Sequence, residues 1–538
     1  MSVRIKTLKI FIALNKGLKS LREISIHIGT SKSSVGRSLK AVERRNCHPE
    51  SWLWETDEGQ RWLHRLVIAV LFFFGIKCGV GVEQLSLFFD LVRLDRHFGA
   101  SPTSIQTMIR RMECLFVTYQ QDNEEQQRKT GTPRDVIVGG DETFFHKLMV
   151  LVLMDLPSGY LLMEEMAENR SYETWKEKAQ KCLERMNLRV VHSVTDRAKA
   201  LVKLALDGFG CQSGADLFHA EYEITKWLGS AFSRRLGAII KKVEKSTECL
   251  VALQRKYNTM PGDIIEKENE IKQHKSVLEA VVSGKDAYQG ILQKISTIVH
   301  PFNLDENVQQ TSEQVENLLN EQVQELKKIA ENNEILDSHG SLEKLMRQIK
   351  DISGIVTAWW GWASVSLATF GLEPWMIDWL LFTLLPVVYW YKQMKRTKNK
   401  KLKAAYRKAW EQALAAYHAD TLTKKILSKD VGRWLAWADW MVDKFQRTSS
   451  AVEGRNGCLS QMYHNGRGLT IQRLKALTVI HNFDCRRSDG TTAAERLFGT
   501  QFPDLFEWVV GRMGELPPAR KSRERVIPNP LILLPVPA

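Results

Sequence analysis

The segment 136–145 constrains this chain most, because it reads as an apolar strand with a carboxylate inside it. Val and Ile suit a buried, pleated surface, whereas Asp is depleted in strands and costly to bury. Asp141 therefore needs an explanation, and binding of a metal ion or a proton is the usual one. Its neighbour Glu142 is excluded, because the two-residue period of a strand points it to the opposite side.

Further strands follow this one along the chain. Two apolar runs separated by a Pro/Gly turn, residues 147–155 and 160–163, predict an antiparallel meander. Residues 171–186 have helical character, and residues 188–194 predict a fourth strand that stops at Asp196. This order predicts a sheet on which the carboxylates of Asp141 and Asp196 converge.

Length, charge and cysteine usage limit the number of domains, the kind of partner and the compartment that the chain can have. A chain of 538 residues predicts two to four domains. The net charge of +14 favours an anionic partner, of which nucleic acid is the first candidate. The eight cysteines form no Cys-x-x-Cys pair, which argues against a zinc module and a disulfide framework and suits a reducing cytoplasm. Cations interrupt the first apolar residues, so no signal peptide is expected.

Residues 1–46 predict a helix-turn-helix DNA-binding domain. A short amphipathic helix at 21–28 is followed by a Gly-containing turn at 29–31 and by a basic, Ser-rich helix at 32–44. An ordinary helical hairpin with a solvated face is the alternative. The candidate DNA contacts on the second helix are Lys32, Arg37, Lys40 and Arg44.

A second helical domain is predicted at residues 60–120, either as another helix-turn-helix or as a support for the first. The polar segment 120–133 is expected to be an exposed hinge. Residues 516–538 contain six prolines and predict a flexible tail.

Residues 221–440 are almost wholly helical in pattern, including an amphipathic stretch at 315–329. The Trp-rich part, residues 355–391, is interrupted by charges and prolines and favours a buried helical core over membrane association. A basic run follows it and is either a solvated face or a phosphate-binding patch. Its members are Lys392, Lys395, Arg396, Lys398, Lys400, Lys401 and Lys403.

A third carboxylate, Glu453, completes the candidate site. Ser450 and Glu453 also have the spacing of a capping box, and Asp196 also precedes a helix that it could cap. Three carboxylates are what a pair of divalent cations needs for two-metal phosphoryl transfer. Oxygen ligands without Cys or His spacing favour Mg²⁺.

Three motifs resemble the DDE motif of bacterial insertion-sequence transposases, which have an RNase H-like catalytic core. They are Gly-Asp-Glu-Thr-Phe at 140–144, Thr-Asp-Arg-Ala-Lys-Ala at 195–200, and Ser-Ser-Ala-Val-Glu-Gly-Arg-Asn-Gly at 449–457. The segments 468–483 and 486–499 resemble the tail of such enzymes. The resemblance implies an α/β fold, with the core at 134–220 and 441–515 and the helical segment 221–440 inserted between them.

The resemblance also implies a mechanism. Asp141, Asp196 and Glu453 would hold two Mg²⁺ ions, with Mn²⁺ as a substitute, for cleavage and strand transfer of DNA. Asp216 and His219 are secondary candidates, and a helix cap is their alternative role. They lie near a short fifth strand predicted at 215–220 that runs into a helix. Four arginines are expected to contact DNA phosphates as a general expectation, without a specific site: Arg455, Arg467, Arg486 and Arg487.

The sequence thus predicts a cytoplasmic, nucleoid-associated bacterial transposase that acts on double-stranded DNA, as a homodimer or larger assembly and without a membrane. Two alternatives remain open. One is a transposase-derived DNA-binding protein that has lost catalysis, and the other is a helix-rich, membrane-associated scaffold.

Overall fold

The computed structural model describes residues 9–10, 13, 17–18, 20–45, 48–129, 131, 133–256, 260–426, 428–464 and 468–519. They form two compact units. The first contains the described residues within Met1–Thr130 and Gly457–Ala538, and the second is Gly131–Asn456. In the described part of the chain, helices predominate around a single five-stranded mixed sheet, so the predicted α/β class is confirmed.

The first unit starts with the predicted pair of helices. Helix α1 (Leu21–Ile28) begins at a capping box, in which the Glu23 amide donates to Ser20 Oγ at 3.1 Å. It ends at Gly29, whose φ of 70° is readily available only to glycine. Helix α2 (Lys32–Arg45) follows, and buried Ile24, Ile28 and Val35 form the core between the two helices.

The next helices contradict the predicted hinge. Helix α3 (Asp57–Val70) follows a 3₁₀ turn (Pro49–Glu55) and continues as a π-helical segment (Leu71–Lys77). After α4 (Val82–Leu91), helix α5 runs over Pro102–Arg128 and includes most of the segment 120–133. The expected hinge is wrong for residues 120–128, because the Gln and Glu residues there are good helix formers and no Gly or Pro breaks the helix before residue 131. The boundary between the two units nevertheless falls within the predicted segment, between Thr130 and Gly131.

The second unit contains the sheet. Its elements are β1 (Arg134–Phe145), β2 (Leu148–Asp155), β3 (Tyr160–Ala167), α6 (Tyr172–Met186), β4 (Leu188–Thr195), α7 (Lys199–Lys203) with a π-helical extension (Leu204–Gly208), and β5 (Gln212–Ala215). The strand order is β3-β2-β1-β4-β5. Strand β2 is antiparallel to both of its neighbours, whereas β1, β4 and β5 are parallel. The four predicted strands and the helix between the third and fourth are therefore present.

The predicted fifth strand that runs into a helix is present, but the strand ends at the first residue of the predicted segment 215–220. Strand β5 ends at Ala215, and helix α8 (Leu217–Ile224) takes up the rest. The reason is local, because Asp216 caps α8: its Oδ1 accepts a hydrogen bond from the Phe218 amide at 2.8 Å.

A helical region continues from α8 through a π-helical segment (Thr225–Gly229). It consists of α9 (Ser230–Arg255), α10 (Pro261–Ile298), α11 (Ser312–Asn332), α12 (Ser341–Ala368), α13 (Pro374–Trp379), a π-helical segment (Leu380–Leu384), α14 (Leu385–Arg396), α15 (Lys400–Ala419), a 3₁₀ turn (Thr423–Lys425) and α16 (Ser428–Asp443). The amphipathic stretch predicted at 315–329 buries Val315, Leu319 and Leu326 within this region.

The Trp-rich segment 355–391 forms the centre of this helical core. Trp359, Trp379 and Trp390 are buried among helices, and the Trp359 indole donates to the Met441 carbonyl at 2.8 Å. Of the helices described, one stretch, Asp57–Lys77, has the length and apolarity to cross a membrane, and half of that stretch is buried inside the protein.

The chain ends with α17 (Ser450–Met462), α18 (Ile471–Phe483), α19 (Ala493–Phe498) and α20 (Leu505–Arg512). Helix α18 packs on α5, where Phe483 makes an edge contact with Tyr119. The start of the predicted flexible tail is packed too, since Leu516 is buried and the Pro517 carbonyl accepts from the Gly99 amide at 2.7 Å. Residues 520–538 lie outside the described residues.

Candidate active site

The two central parallel strands bring Asp141 and Asp196 to the same edge of the sheet. In the register of β1 and β4, Gly139 is paired with Val194. Asp141 and Asp196 each lie two residues further along, so they are level and on the same face. A bulge in β4 after Val190 sets this register, because one extra residue there shifts every later pair by one.

Helix α17 brings Glu453 to this edge, and a glycine lets the helix approach. A Cβ added to Gly139 would lie 3.1 Å from Val452 Cγ2 and 3.2 Å from Ser449 Cβ. Since α17 begins at Ser450, that serine is already inside the helix and not at the preceding position that a capping box requires. Glu453 instead faces His219, with Oε1 3.3 Å from Nε2.

The Asp141 carboxylate is held by two hydrogen bonds. Its Oδ1 accepts from the Glu142 amide at 2.9 Å, and its Oδ2 accepts from Asn456 Nδ2 at 2.6 Å. Burial and the negative charges of nearby Glu453 and Asp196 raise the pKa of Asp141 to about 7.

Asp196 is positioned by its own turn. Its Oδ1 accepts from the Ala198 amide at 2.9 Å. The following residue, Arg197, has a left-handed φ of 71°, which disfavours side chains other than glycine. Its guanidinium binds Asp351 on α12 at 2.8 Å and the Ser213 carbonyl at 3.1 Å, and these contacts hold the strained turn in place.

Asp216 and His219 form a second pair beside the carboxylates. Asp216 is buried, and its Oδ2 accepts from His219 Nδ1 at 2.9 Å and from the Ser449 amide at 3.1 Å. The hydrogen bond from His219 to Asp216 raises the pKa of His219 to about 9, although partial burial opposes the rise. Burial would raise the pKa of Asp216, but the hydrogen bonds from His219 and Ser449 lower it. Asp216 therefore caps α8 and also holds His219, which lies beside the carboxylate of Glu453.

The helical region fixes the segment that leads into α17, and the sequence analysis missed its main residue. The Arg447 guanidinium is half-buried and donates to the carbonyls of Ser296 at 2.6 Å and Val299 at 3.0 Å. The Arg447 carbonyl accepts from the Leu217 amide at 3.0 Å. Arg447 thereby connects α10 and α8 to the residues just before Glu453.

A small cleft opens next to the carboxylates. It has a volume of about 230 Å³ and is bordered by Asp196 and His219 on one side and by the first turns of α12 on the other. Lys344 of α12 lies in it and pairs with Glu223 at 3.6 Å.

The donor set of the site suits a hard divalent cation. Asp141, Asp196 and Glu453 present carboxylate oxygens, and their crowding destabilises the charged form of Asp141, which a bound cation would relieve. The described side chains do not already form a ligand cage of three or more His, Cys, Asp or Glu residues.

The expected DNA contacts have different environments. Lys32, Arg37 and Lys40 are exposed on α2. The side chain of Arg44 and the whole of Arg467 lie outside the described residues. Arg486 is exposed and donates to the Gly490 carbonyl at 2.6 Å.

Arg455 does not have the exposed position expected of a phosphate contact. Its guanidinium is buried and binds Glu164 of β3 through two hydrogen bonds of 2.7 Å each. It is thus directed at a buried carboxylate and not at solvent.

Residues 380–525 match the sequence model of a family of unknown function (DUF6399). The match includes Glu453 and Arg455 and the helices around them, but neither Asp141 nor Asp196. No curated protein and no solved structure matches the chain. The DUF6399 match covers about a quarter of the chain and carries no assigned chemistry, so the functional argument depends on the geometry of the site.

Proposed function

We propose that the protein is a DNA transposase that cleaves and joins DNA strands with a DDE-type site of Asp141, Asp196 and Glu453. The observation that carries this proposal is the convergence of three carboxylates from distant parts of the chain at one sheet edge. Such a group is costly to keep together without a ligand, because each charge raises the free energy of the others. Divalent cations bound between the carboxylates would offset that cost.

The same sheet supports the proposal of an RNase H-like core. The first carboxylate lies on the central strand β1, and the second follows its parallel neighbour β4, as the resemblance to DDE transposases implies. The helical region between Asp196 and Glu453 is then an insertion into that core, and Arg447 is the point at which it supports the third carboxylate.

In this mechanism the three carboxylates would hold up to two Mg²⁺ ions, with Mn²⁺ as a substitute. When bound, such ions activate a water or a 3′-hydroxyl for in-line attack on the phosphodiester and stabilise the leaving oxygen. The protein contributes orientation: Asn456 and the Glu142 amide direct the oxygens of Asp141. Asp141 must give up its proton to serve as a ligand, because a pKa near 7 leaves it partly protonated at neutral pH.

His219 contributes charge and a proton beside Glu453. With a pKa of about 9 it is protonated at neutral pH, and its Nε2 lies 3.3 Å from Glu453 Oε1. We assign His219 two roles, which are to orient Glu453 and to donate a proton to the leaving 3′-oxygen. Asp216 keeps His219 protonated.

DNA recognition is proposed for residues 1–46 as a helix-turn-helix domain. Its support is the basic α2, on which Lys32, Arg37 and Lys40 are exposed while Val35 is buried. Two element ends must be held together for transposition, so a homodimer or larger assembly on double-stranded DNA belongs to the proposal.

The test is to incubate the purified protein with the DNA that flanks its own gene, in the presence of Mg²⁺ or Mn²⁺, and to map the nicks. Defined nicks at the ends of an element are expected, and deletion of residues 1–46 should abolish their sequence specificity. Binding of this DNA without any cleavage in either metal would overturn the proposed activity and favour a DNA-binding protein without catalysis.

A further inference from the structure

The basic run after the Trp-rich segment divides into two groups in the structure. Between Lys392 and Trp410 the chain has nine cationic residues and no Asp or Glu. Lys392 and Arg396 pair with Asp443, and Lys392 also pairs with Asp439, so these two cations stabilise the packing of α14 on α16. The other seven are exposed, and none has a carboxylate within 4.0 Å among the described residues. We call them the basic surface: Lys395, Lys398, Lys400, Lys401, Lys403, Arg407 and Lys408.

Helix stability does not explain the basic surface. The first turn of α15 contains lysines and no acidic residue, although cations are unfavourable near the positive end of a helix dipole. Lys403 and Arg407 are four residues apart on the same face, where like charges repel. A polyanion bound from outside would relieve both conflicts.

An aromatic groove lies beside the basic surface. It has a volume of about 460 Å³ between α14, α15 and α16, and it is lined by Val387, Val388, Tyr391, Trp410, Leu435, Ala436 and Asp439. The rings of Tyr391 and Trp410 are 5.7 Å apart, and Tyr391 is 43% exposed. Lys395 Nζ lies 5.4 Å from the Tyr391 ring centre. Lys403 precedes Trp410 by seven residues, two helical turns, and therefore shares its side of α15.

We propose that this groove and the basic surface bind an unpaired strand of DNA, with bases against Tyr391 and Trp410 and phosphates on Lys403, Arg407 and their neighbours. Aromatic side chains next to a row of cations are the combination that single strands require, since their bases are free to stack. A duplex hides its bases and would use only the cations. The choice of DNA rests on the proposed function, because strand cleavage at element ends releases unpaired strands.

The test measures binding of the full-length protein to a fluorescein-labelled oligothymidine strand by anisotropy, without divalent cations and over a range of salt concentrations. In the double variant Lys403→Gln/Arg407→Gln, the slope of log K against log salt should become shallower by about 1.4, since each phosphate contact to a single strand contributes about 0.7. The matched control is Lys327→Gln/Lys328→Gln on α11, which removes two exposed lysines that pair with Glu331 and Glu325. Its slope should equal that of the wild type.

Tyr391→Leu tests the stacking contact separately. It should weaken binding of the single strand about fivefold or more and leave duplex binding and the salt slope unchanged. An equal decrease of the salt slope in the α11 control, or no decrease in the Lys403→Gln/Arg407→Gln variant, would overturn the basic surface as a DNA site. Unchanged binding by Tyr391→Leu would overturn the assignment of an unpaired strand.

These outcomes are independent of the active site. Single-strand binding as predicted, combined with no cleavage of any DNA, would retain the basic surface and remove the proposed nuclease activity. DNA cleavage that persists while single-strand binding is unchanged by these substitutions would retain the proposed nuclease activity and remove the basic surface as a DNA site.

Discussion

Gly139 of β1 lies directly against Val452 of α17, so closely that a Cβ on the glycine would be 3.1 Å from Val452 Cγ2. The same Cβ would be 2.6 Å from Leu156 Cδ2. This contact allows the helix that carries Glu453 to rest on the strand that carries Asp141. The absence of a side chain at Gly139 therefore sets the separation of two of the three carboxylates.

Gly139→Ala should lower the cleavage rate, because α17 must move by a few tenths of an ångström to accept the added Cβ and would carry Glu453 with it. It should also destabilise the protein by about 1–3 kcal/mol through overpacking. Cleavage of end DNA and urea unfolding measure the two effects. Gly454→Ala is the matched control: no atom lies within 4 Å of its added Cβ, so cleavage should persist. Full activity in Gly139→Ala would show that the close approach is not needed.

The histidine beside Glu453 should titrate far above the usual range. NMR of the metal-free protein should give His219 a pKa of about 9, since Asp216 accepts from its Nδ1. Asp216→Asn should lower that pKa by a unit or more, because the largest raising contribution, the hydrogen bond to Asp216, is lost while burial still opposes the charged form. His219→Gln identifies the resonance and should slow cleavage by about 10²–10⁴ if the proton donor role is correct. A wild-type pKa near 6.5 would contradict the pairing.

The buried pair of Arg455 and Glu164 should be among the most sensitive positions for stability. Arg455→Ala removes the cation from a fully buried carboxylate, and the loss should be about 3–5 kcal/mol in the free energy of unfolding. The double change Arg455→Met/Glu164→Leu should recover much of it. Lys181→Ala, in the exposed pair with Glu177, should leave stability nearly unchanged. A small effect of Arg455→Ala would instead return this guanidinium to the candidates for DNA contact.

His192 of β4 should make the protein sensitive to mild acid. Both of its ring nitrogens are buried without a hydrogen-bond partner among the described residues, and burial lowers its pKa to about 4. As the pH falls, His192 therefore becomes protonated in the unfolded chain at a higher pH than in the folded protein. The His192 contribution is fully present above about pH 6.5 and is lost as the pH falls towards 4, by about 3 kcal/mol in total. Urea unfolding at several pH values should show this loss in the wild type and a smaller one in His192→Gln.

Much of the sheet could be predicted because its signals are local. Apolar runs, a Pro/Gly turn and the helix before β4 are visible within short windows, and Asp141 is conspicuous because a carboxylate is unusual in such a strand. The end of β5 is less certain from sequence, because the cap at Asp216 is one of two possible roles there and the structure decides for it.

The supporting residues could not be predicted, since their roles depend on contacts across the chain. Nothing near Arg447 in sequence indicates that it binds carbonyls of α10, and nothing near Arg455 indicates burial against Glu164. Gly139 is visible in the sequence only as part of the apolar segment 136–145. Its role requires knowledge of which helix lies above the strand.

The central claim is that Asp141 binds the catalytic cations, and a pair of adjacent substitutions tests it most directly. Asp141→Asn and Glu142→Gln each remove one charge from neighbouring positions of β1, but Glu142 pairs with Arg170. Nick mapping on end DNA with Mg²⁺ should show no cleavage by Asp141→Asn, clear cleavage by Glu142→Gln, and equal DNA binding by both. Wild-type cleavage by Asp141→Asn would contradict the account.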